Sequence, residues 1–229
     1  MNRYLQTPPA VKNLIIANGL LFLATYLIPQ VNSFLGAYGQ LFWVGSPNFH
    51  LYQFVSYMFL HGSFTHLFFN MFALWMFGRT LEHVLGAKRF LTYYMICGIG
   101  AGLVQELVQY IQYAMELSHY DNVDTGLSII PMAEFLNMMT TVGASGAVYG
   151  ILLAFGMLFP ETRMFVFPLP FPIKAKFFVI GYAVIELFSG FGSSGDGIAH
   201  FAHLGGMIFG FLLIMYWRKK NRNNGQFYY

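Results

Sequence analysis

Charged side chains are scarce in this sequence. Of its 229 residues only 9% are charged, whereas 57% are hydrophobic and 19% are aromatic. A soluble domain carries roughly 25% charged residues, because water must solvate its surface. The scarcity of charge therefore excludes an ordinary soluble fold, and lipid is the solvent that suits this chain.

Cysteine is nearly absent, and so is any large excess of charge of one sign. The single cysteine, Cys97, excludes an internal disulfide framework and lies in an apolar run, where a buried thiol is the ordinary state. A net charge of +3 is too small to indicate nucleic-acid binding. The first residues lack the pattern of a cleaved secretory signal, so we expect the first apolar run to be a retained helix.

Long apolar runs are what the sequence has instead. A membrane-spanning helix needs roughly 20 mostly apolar residues, and the runs predict six such helices. We see no internal repeat and no low-complexity linker, so residues 1–229 are predicted to form a single domain. The predicted spans are 13–33, 54–78, 89–110, 141–160, 176–192 and 198–217.

The placement of charges tests this map independently. If the N-terminus is cytoplasmic, the cytoplasmic segments are the N-terminal tail, 79–88, 161–175 and the C-terminal tail. Lysine and arginine are enriched on the cytoplasmic side of membrane proteins, and all 12 lie in or beside these segments. The opposite loops hold Glu116, Asp121, Asp124, Glu134 and Asp196. We therefore predict an all-α, polytopic bundle of six transmembrane helices with both termini cytoplasmic.

The connection between the third and fourth predicted helices, about 111–140, is long for a loop. Its segment 128–139 mixes apolar and polar residues, which is typical of an amphipathic segment lying in the outer membrane interface. A disordered loop is the alternative interpretation.

Polar side chains inside the predicted spans indicate a functional site, because they are costly in lipid. They form three groups: His61, His66 and Asn70 in the second helix, the run around Ser145 that opens the fourth, and His200 and His203 in the sixth. In the predicted topology Ser145 and His203 both lie roughly 7–10 Å below the outer surface. A hydroxyl and an imidazole at matching depth are what a nucleophile and its general base require.

Small residues beside this pair favour close helix packing. Gly206 and Gly210 lie three and seven positions after the histidine, on the same helical face, and such stripes let helices approach closely in lipid. Gly146 offers a small surface next to Ser145. Tyr149, four residues after the serine, shares its face one turn deeper and is predicted to hold the imidazole ring in place.

The second helix carries candidate oxyanion donors. His66 and Asn70 are four residues apart on one face, and an imidazole N–H and an amide can donate to a developing oxyanion. The backbone N–H of Ser145 can join them. Glu82, near the inner end of this helix, is predicted instead to be a structural anchor that bonds backbone or loop groups.

Each of these residues also has a structural interpretation. A serine in a Gly-Ala-Ser-Gly run often serves only helix packing, and a membrane histidine is often only a hydrogen-bonding residue. His200 is an alternative general base, although the glycine spacing favours His203. The combination of depth, helical face and chemistry favours the catalytic interpretation.

With these residues in place, the chain resembles the rhomboid family of intramembrane serine proteases. The run Gly143-Ala144-Ser145-Gly146 followed by Tyr149 is similar to the family's GxSG nucleophile motif. The run Ala202-His203-Leu204-Gly205-Gly206 followed by Gly210 is similar to its AHxxGxxxG motif, which selects His203 over His200 as the base.

Two further segments extend the resemblance to about residues 52–215. The segment from His61 through His66 to Asn70 is similar to the family's HxxxxHxxxN pattern, which assigns His66 and Asn70 to the oxyanion side. Gly78, Glu82 and Gly86 match the GxxxExxxG that follows. The chain departs from the family at Tyr52-Gln53, where an aromatic-Arg or Trp-Gln pair is common, and in its longer third loop.

The resemblance implies a Ser-His dyad without an essential carboxylate, a water-filled cavity open to the outer side, and no metal or cofactor. The implied substrates are single-span membrane proteins with small or helix-breaking residues near their outer boundary. They are implied to enter the cavity from the lipid bilayer when the fifth helix, or the loop over the cavity, moves. The compact core favours a bacterial inner membrane. The sequence carries no signal for the oligomeric state.

The predicted chemistry is acyl transfer. His203 takes the Ser145 proton, Ser145 attacks the scissile carbonyl, and His66, Asn70 and backbone N–H groups hold the oxyanion. Water then releases the acyl-enzyme, and Tyr149 orients the imidazole because no third residue is expected.

Three other classes of protein are weaker alternatives. One is a non-catalytic relative that binds transmembrane helices, although it would need neither the serine nor the histidine. Another is a metal-dependent intramembrane protease, but the sequence has no HExxH. The last is a transporter, which usually brings paired charges or inverted repeats.

Overall fold

The computed structural model describes residues 6–166, 170–192 and 199–223, apart from the side chain of Asn223. Asp196 of the last predicted outer loop lies outside the described residues, as does the predicted start of the sixth helix at 198.

Helices make up most of the described structure. The α-helices are α1 (Pro9–Leu27), α2 (Pro29–Tyr38), α3 (Gln53–Ser56), α4 (Phe64–Ala73), α5 (Arg79–Leu85), α6 (Ala87–Gln112), α7 (Met132–Met138), α8 (Ser145–Leu158), α9 (Ala175–Gly192) and α10 (His200–Asn223). A 3₁₀ turn, Tyr57–Phe59, follows α3, and π-helical turns follow α4 (Leu74–Gly78) and α6 (Tyr113–Leu117).

Short antiparallel strand pairs lie in the connections. Strand β1 (Leu41–Phe42) pairs with β4 (Thr140–Thr141), and Leu41 faces Thr141. The other pairs are β2 (Asn122–Asp124) with β3 (Ile129–Pro131), and β5 (Arg163–Met164) with β6 (Ile173–Lys174).

Four helices in the described ranges are long and apolar enough to cross a membrane. They are Pro9–Leu27, Ala87–Leu117, Ala175–Gly192 and His200–Arg222. Helix α8 is also apolar but has only 14 residues. The chain is therefore an all-α, polytopic membrane protein, as its composition predicts. The count of six spans stays a prediction.

The first predicted span, 13–33, is wrong at both ends. Helix α1 begins earlier, at Pro9, and ends at Leu27. Ile28 is extended, with φ −120° and ψ 101°, and Pro29 opens the separate helix α2. A proline disfavours helical geometry in the residue before it and has no N–H to continue the hydrogen-bond ladder, so the apolar run is divided there.

The second predicted span, 54–78, is also divided. Leu60 is extended after the 3₁₀ turn, and the helix starts again at Phe64. Ser63 is the reason for the restart, because its hydroxyl accepts the backbone N–H of His66 as an N-cap. From Phe64 the chain is helical through α5, which ends at Leu85 and is followed by Gly86 with φ 76°.

The fourth predicted span, 141–160, begins too early. Residues 140–141 belong to strand β4, and Gly143 has φ 128°, a conformation that an α-helix cannot contain. The predicted spans 89–110 and 176–192 agree with α6 and α9 to within two residues. Helix α10 runs past the predicted end at 217 to Asn223, and Lys220 and Arg222 in its last turn complement the helix dipole.

The long connection after α6 is folded in the described structure. It forms the β2–β3 hairpin and helix α7, which lies within the segment predicted to be amphipathic. Met132 and Leu136 of α7 are buried against Trp43. Of the two alternatives, a disordered loop is therefore wrong for this connection.

Two buried polar side chains fix the segment between α2 and α3. Gln53 accepts the N–H of His50 at 3.0 Å and donates to the carbonyl of Asn48 at 2.9 Å. Glu106 of α6 accepts the N–H of Val44 at 2.7 Å. These side chains thus bond backbone N–H and C=O groups that have no partner in a helix or strand. The bonds hold the segment between α2 and α3 against α3 and α6.

Helices α6, α8 and α10 pack on one another at the centre of the molecule. The backbones approach so closely that a Cβ added at Gly206 of α10 would lie 1.9 Å from the carbonyl oxygen of Gly146 on α8. A Cβ at Gly146 would lie 2.2 Å from the Cβ of Ala101 on α6, and one at Gly210 would lie 2.2 Å from the hydroxyl of Tyr93. Small residues are therefore required at these crossings.

Glu82 of α5 is a buried carboxylate at the start of α1. Its oxygens accept the N–H groups of Ala10 at 2.9 Å and Val11 at 2.8 Å. These donors belong to the first turn of α1, where backbone N–H groups have no partner within the helix and the dipole favours a negative charge. These two hydrogen bonds fit the role of structural anchor, which stays a prediction for Glu82.

We expect Glu82→Gln to destabilise the fold by about 1–3 kcal/mol, because one of the two N–H groups then faces an NH₂ donor and the other keeps only a neutral acceptor. The measurement is the thermal unfolding midpoint in detergent. Glu116→Gln is the matched control, since Glu116 is exposed. Equal midpoints for the two variants would contradict the anchoring role.

Glu161 links the two arms of the loop before α9. Its carboxylate contacts Lys174 at 2.6 Å and Lys176 at 2.5 Å, and hydrogen bonds from these lysines lower the pKa of Glu161 from 4.5 to about 2. Because the folded value is the lower one, the stabilisation is present above pH 4.5 and is lost as the pH falls toward 2.

We expect Glu161→Gln to lower the unfolding midpoint slightly at neutral pH, since exposed ion pairs contribute little. The difference between the unfolding midpoints of the variant and the wild type should shrink as the pH falls from 4.5 toward 2. Thermal scans of both proteins at several pH values measure it. A difference that does not change with pH would contradict this account.

Candidate active site

Ser145 is the first residue of α8, directly after a turn that only glycine allows. Gly143 has φ 128° and donates its N–H to the carbonyl of Tyr57 at 2.9 Å. An L side chain rarely adopts this conformation, so the turn that presents the serine depends on Gly143. The Ser145 side chain is half-buried.

His203 lies on α10 and faces this serine. Its Nε2 is 2.8 Å from the Ser145 Oγ, which is the hydrogen-bond distance expected for a nucleophile and its base. The imidazole is buried. The close crossing of α8 and α10 at Gly146 and Gly206 brings the two side chains together.

Tyr149 holds the imidazole from the side. Its ring stacks on the His203 ring with the centroids 4.2 Å apart and an interplanar angle of 4°. One turn of α8 separates it from Ser145, so the same helix presents the nucleophile and the surface on which the imidazole rests.

A carboxylate that was not predicted completes the arrangement. Glu186 of α9 is 5% exposed, and its Oε2 lies 2.9 Å from His203 Nδ1 and 2.7 Å from His200 Nδ1. The Tyr149 hydroxyl donates to the other oxygen of the same carboxylate. The expectation that packing on Tyr149 alone orients the imidazole is therefore wrong for this structure.

The signal for Glu186 was present in the sequence. It is an acidic residue inside the predicted span 176–192, and an ionisable residue in a span indicates function by default. The predicted site residues all lie in the second, fourth and sixth predicted helices, whereas Glu186 lies in the fifth. Spacing alone could not pair Glu186 with His203, because the two residues lie on different helices.

The carboxylate also determines which imidazole nitrogen carries the proton. An ionised carboxylate can only accept hydrogen bonds, so with Glu186 ionised the 2.9 Å contact has His203 Nδ1–H as its donor. Nε2 is then unprotonated and accepts the hydroxyl hydrogen of Ser145. This is the tautomer that a general base needs.

The two predicted oxyanion residues differ in their placement. A Cβ added at Gly143 would lie 2.7 Å from His66 Nε2 and 3.6 Å from Ser145 Oγ, so the His66 ring is beside the serine turn. Asn70 is buried, and its amide donates to the carbonyl of His66 within α4 at 2.9 Å. The structure thus brings His66 to the serine, whereas the Asn70 amide bonds within its own helix.

Glu186, His200 and His203 also form a group that could hold a metal ion, with one ligand atom from each within 4.8 Å of the others. Metal ligands of these types lie about 2.0–2.2 Å from zinc. Here the Nδ1 atoms of His200 and His203 lie 2.7 Å and 2.9 Å from the same Glu186 oxygen, Oε2, which is hydrogen-bond distance. The group as it stands is satisfied by hydrogen bonds.

Fold and site together define a class of protein. This is an integral membrane protein in which a serine at a helix N-terminus is hydrogen-bonded to a buried histidine of a neighbouring helix. A sequence model of the rhomboid domain matches residues 48–220, and the chain belongs to the rhomboid family. The family predicted from the motifs is thus confirmed.

Named relatives share about 30% of their residues with this chain. Rhomboid protein 1, mitochondrial, of Saccharomyces cerevisiae is 31% identical over 156 residues, which are 67% of this chain and 38% of the relative. Rhomboid protease AarA of Providencia stuartii is 32% identical over 162 residues, 68% of this chain and 52% of the relative. The chain therefore spans about half or less of the length of these relatives.

Proposed function

We propose that this protein is an intramembrane serine endopeptidase in which Ser145 is the nucleophile and His203 the general base. The observation that carries the proposal is the 2.8 Å contact between Ser145 Oγ and His203 Nε2. Membership of the rhomboid family supports it, as does the name of the Providencia relative, a rhomboid protease.

The reaction is acyl transfer in two steps. His203 removes the hydroxyl proton as Ser145 Oγ attacks the scissile carbonyl, and the same proton then goes to the leaving amine. Water, activated by His203, next attacks the acyl-enzyme and releases the second product. No metal or cofactor takes part in this scheme.

The oxyanion of each tetrahedral intermediate is held by donors around the serine turn. The backbone N–H of Ser145 and the His66 ring lie on this side, and each such donor contributes about 2.7–4 kcal/mol to transition-state stabilisation. Asn70 is the second side-chain donor in this proposal. One N–H of its amide donates to the His66 carbonyl, and the second N–H of the same NH₂ group is the donor to the oxyanion.

The substrates we propose are single-span membrane proteins cut near their outer boundary. The depth of Ser145, at the outer end of α8 in the proposed topology, supports this site of cleavage. The bias of basic residues supports cytoplasmic termini. A bacterial inner membrane fits the compact core, although the named relatives come from bacteria and mitochondria.

The proposal is tested by incubating the purified protein in liposomes with a single-span substrate and mapping the products by mass spectrometry. We expect a cut within or next to the transmembrane segment, on the side opposite the basic loops, and the rate should be unchanged by a chelator. If several substrates gave no product, the interpretation as a helix-binding, non-catalytic relative would replace the proposal.

A further inference from the structure

We propose that Glu186 is a positioning residue for catalysis, so that the site works as a Ser145–His203–Glu186 triad and not as a dyad. This inference rests on the proposed function, since Glu186 acts only through His203. It departs from the expectation that no carboxylate is essential.

The three side chains form a continuous chain of hydrogen bonds across three helices. Ser145 on α8 contacts His203 on α10 at 2.8 Å, and the opposite nitrogen of that imidazole contacts Glu186 on α9 at 2.9 Å. A buried carboxylate at this position stabilises the imidazolium that forms when the serine is deprotonated. It also prevents the tautomer in which Nε2 carries a proton and cannot act as a base.

The carboxylate itself is held in one orientation. His200 Nδ1 lies 2.7 Å from Oε2, and the Tyr149 hydroxyl donates to Oε1. Tyr149 therefore contacts two members of the proposed triad, through its ring to the imidazole and through its hydroxyl to the carboxylate. Such supporting contacts are what keep a catalytic side chain within its productive geometry.

The location of Glu186 argues against an incidental role. A carboxylate inside a membrane span is costly, by about 2.5 kcal/mol or more even on insertion scales. A link between α9 and its neighbours could be made by apolar packing at lower cost. A charged group that is buried and aimed at the general base fits catalysis better than it fits a structural link.

The test is Glu186→Gln, which preserves the shape of the side chain and removes its charge. If the amide oxygen faces His203, the imidazolium loses its charged partner. If the amide NH₂ faces His203, the imidazole must adopt the wrong tautomer. In both cases we expect kcat to fall about 10²- to 10⁴-fold while KM changes little.

Two further variants make the comparison specific. Glu106→Gln is the matched control, because Glu106 is also a buried carboxylate on a spanning helix but bonds the backbone of Val44; its kcat should stay near the wild-type value. Tyr149→Phe keeps the ring stack and removes only the hydroxyl bond to Glu186. We expect a loss of about 10-fold in kcat.

A spectroscopic measurement gives an answer even if Glu186→Gln folds poorly. In the wild type labelled with ¹⁵N-histidine, the Nδ1 proton of His203 should give a low-field proton resonance that is absent from His203→Ala. The resonance should be lost or moved upfield in Glu186→Gln and unchanged in Glu106→Gln.

The outcomes separate this inference from the proposed function. Wild-type cleavage together with full kcat for a folded Glu186→Gln protein would overturn the triad and leave the protease intact. Absence of the low-field resonance in the wild type would overturn it as well. A wild-type protein that cleaves nothing would instead contradict the proposed function, and the resonance would still report the contact between Glu186 and His203.

Discussion

Ser145→Ala should reduce cleavage of a single-span substrate by about 10⁴-fold or more, and any remaining rate is what the oxyanion donors and substrate binding supply without the nucleophile. The hydroxyl oxygen is the atom that forms the acyl bond, and alanine has no atom to replace it. The serine is half-buried at the start of α8, so the change removes one oxygen and should leave the fold in place. Initial rates in proteoliposomes measure the effect.

Ser118→Ala is the matched control for this prediction. Ser118 is exposed, and its hydroxyl bonds only the Ala114 carbonyl of its own turn among the described contacts, so its variant should cleave at the wild-type rate.

His203→Ala should lose activity to a similar extent as Ser145→Ala, and the double variant should lose no more than either single one, because the two residues act as a unit. Additive losses would contradict a shared role.

Gly206→Leu should abolish activity and destabilise the fold by about 3 kcal/mol or more. A Cβ at this position would lie 1.9 Å from the carbonyl oxygen of Gly146, and backbone cannot move aside as a flexible side chain can. Helices α8 and α10 must separate, and Ser145 and His203 lie on these two helices. A misplacement of about 1 Å between reacting groups can cost about 10²-fold in rate.

The matched control is Gly19→Leu. Gly19 lies in the spanning helix α1, and a Cβ there would meet nothing within 4 Å. Its variant should retain the wild-type unfolding midpoint in detergent and the wild-type cleavage rate. If the two leucine variants behaved alike in both measurements, the close crossing of α8 and α10 would not be what positions the site.

Much of the architecture could be predicted from the sequence because it depends on local signals. The scarcity of charge indicates a membrane protein, and the motifs around Ser145 and His203 indicate the family. The glycines at 206 and 210 follow the histidine at helical spacing, which predicts the side of α10 that approaches its neighbours. These inferences need only composition and position along one helix.

The helix boundaries were harder to predict because hydropathy does not register single-residue interruptions. Pro29 divides the first apolar run, and Ser63 caps a new helix within the second. Both residues are visible in the sequence, but each lies in a run whose mean hydropathy stays high. At each of these positions the local effect of a proline or an N-cap is stronger than the average hydropathy of the run.

The part of the site that was missed depends on contact between distant segments. Glu186 could be recognised as an unusual acidic residue within a span, yet its partners are set by how α9 packs against α8 and α10. Asn70 shows the same limit, since its place on one helical face with His66 can be read from the sequence, whereas the bond from its amide to the His66 carbonyl cannot. Which partner a buried polar group selects follows from the three-dimensional structure.

The central claim is that Ser145 is a nucleophile activated by His203, and a fluorophosphonate probe tests it most directly. Intact-mass and peptide mass spectrometry of the labelled wild type should show one adduct, on Ser145. Ser145→Ala should show none, and His203→Ala should label at a rate lower by about 10²-fold or more. An unlabelled wild type, or equal labelling of the wild type and Ser145→Ala, would contradict the account.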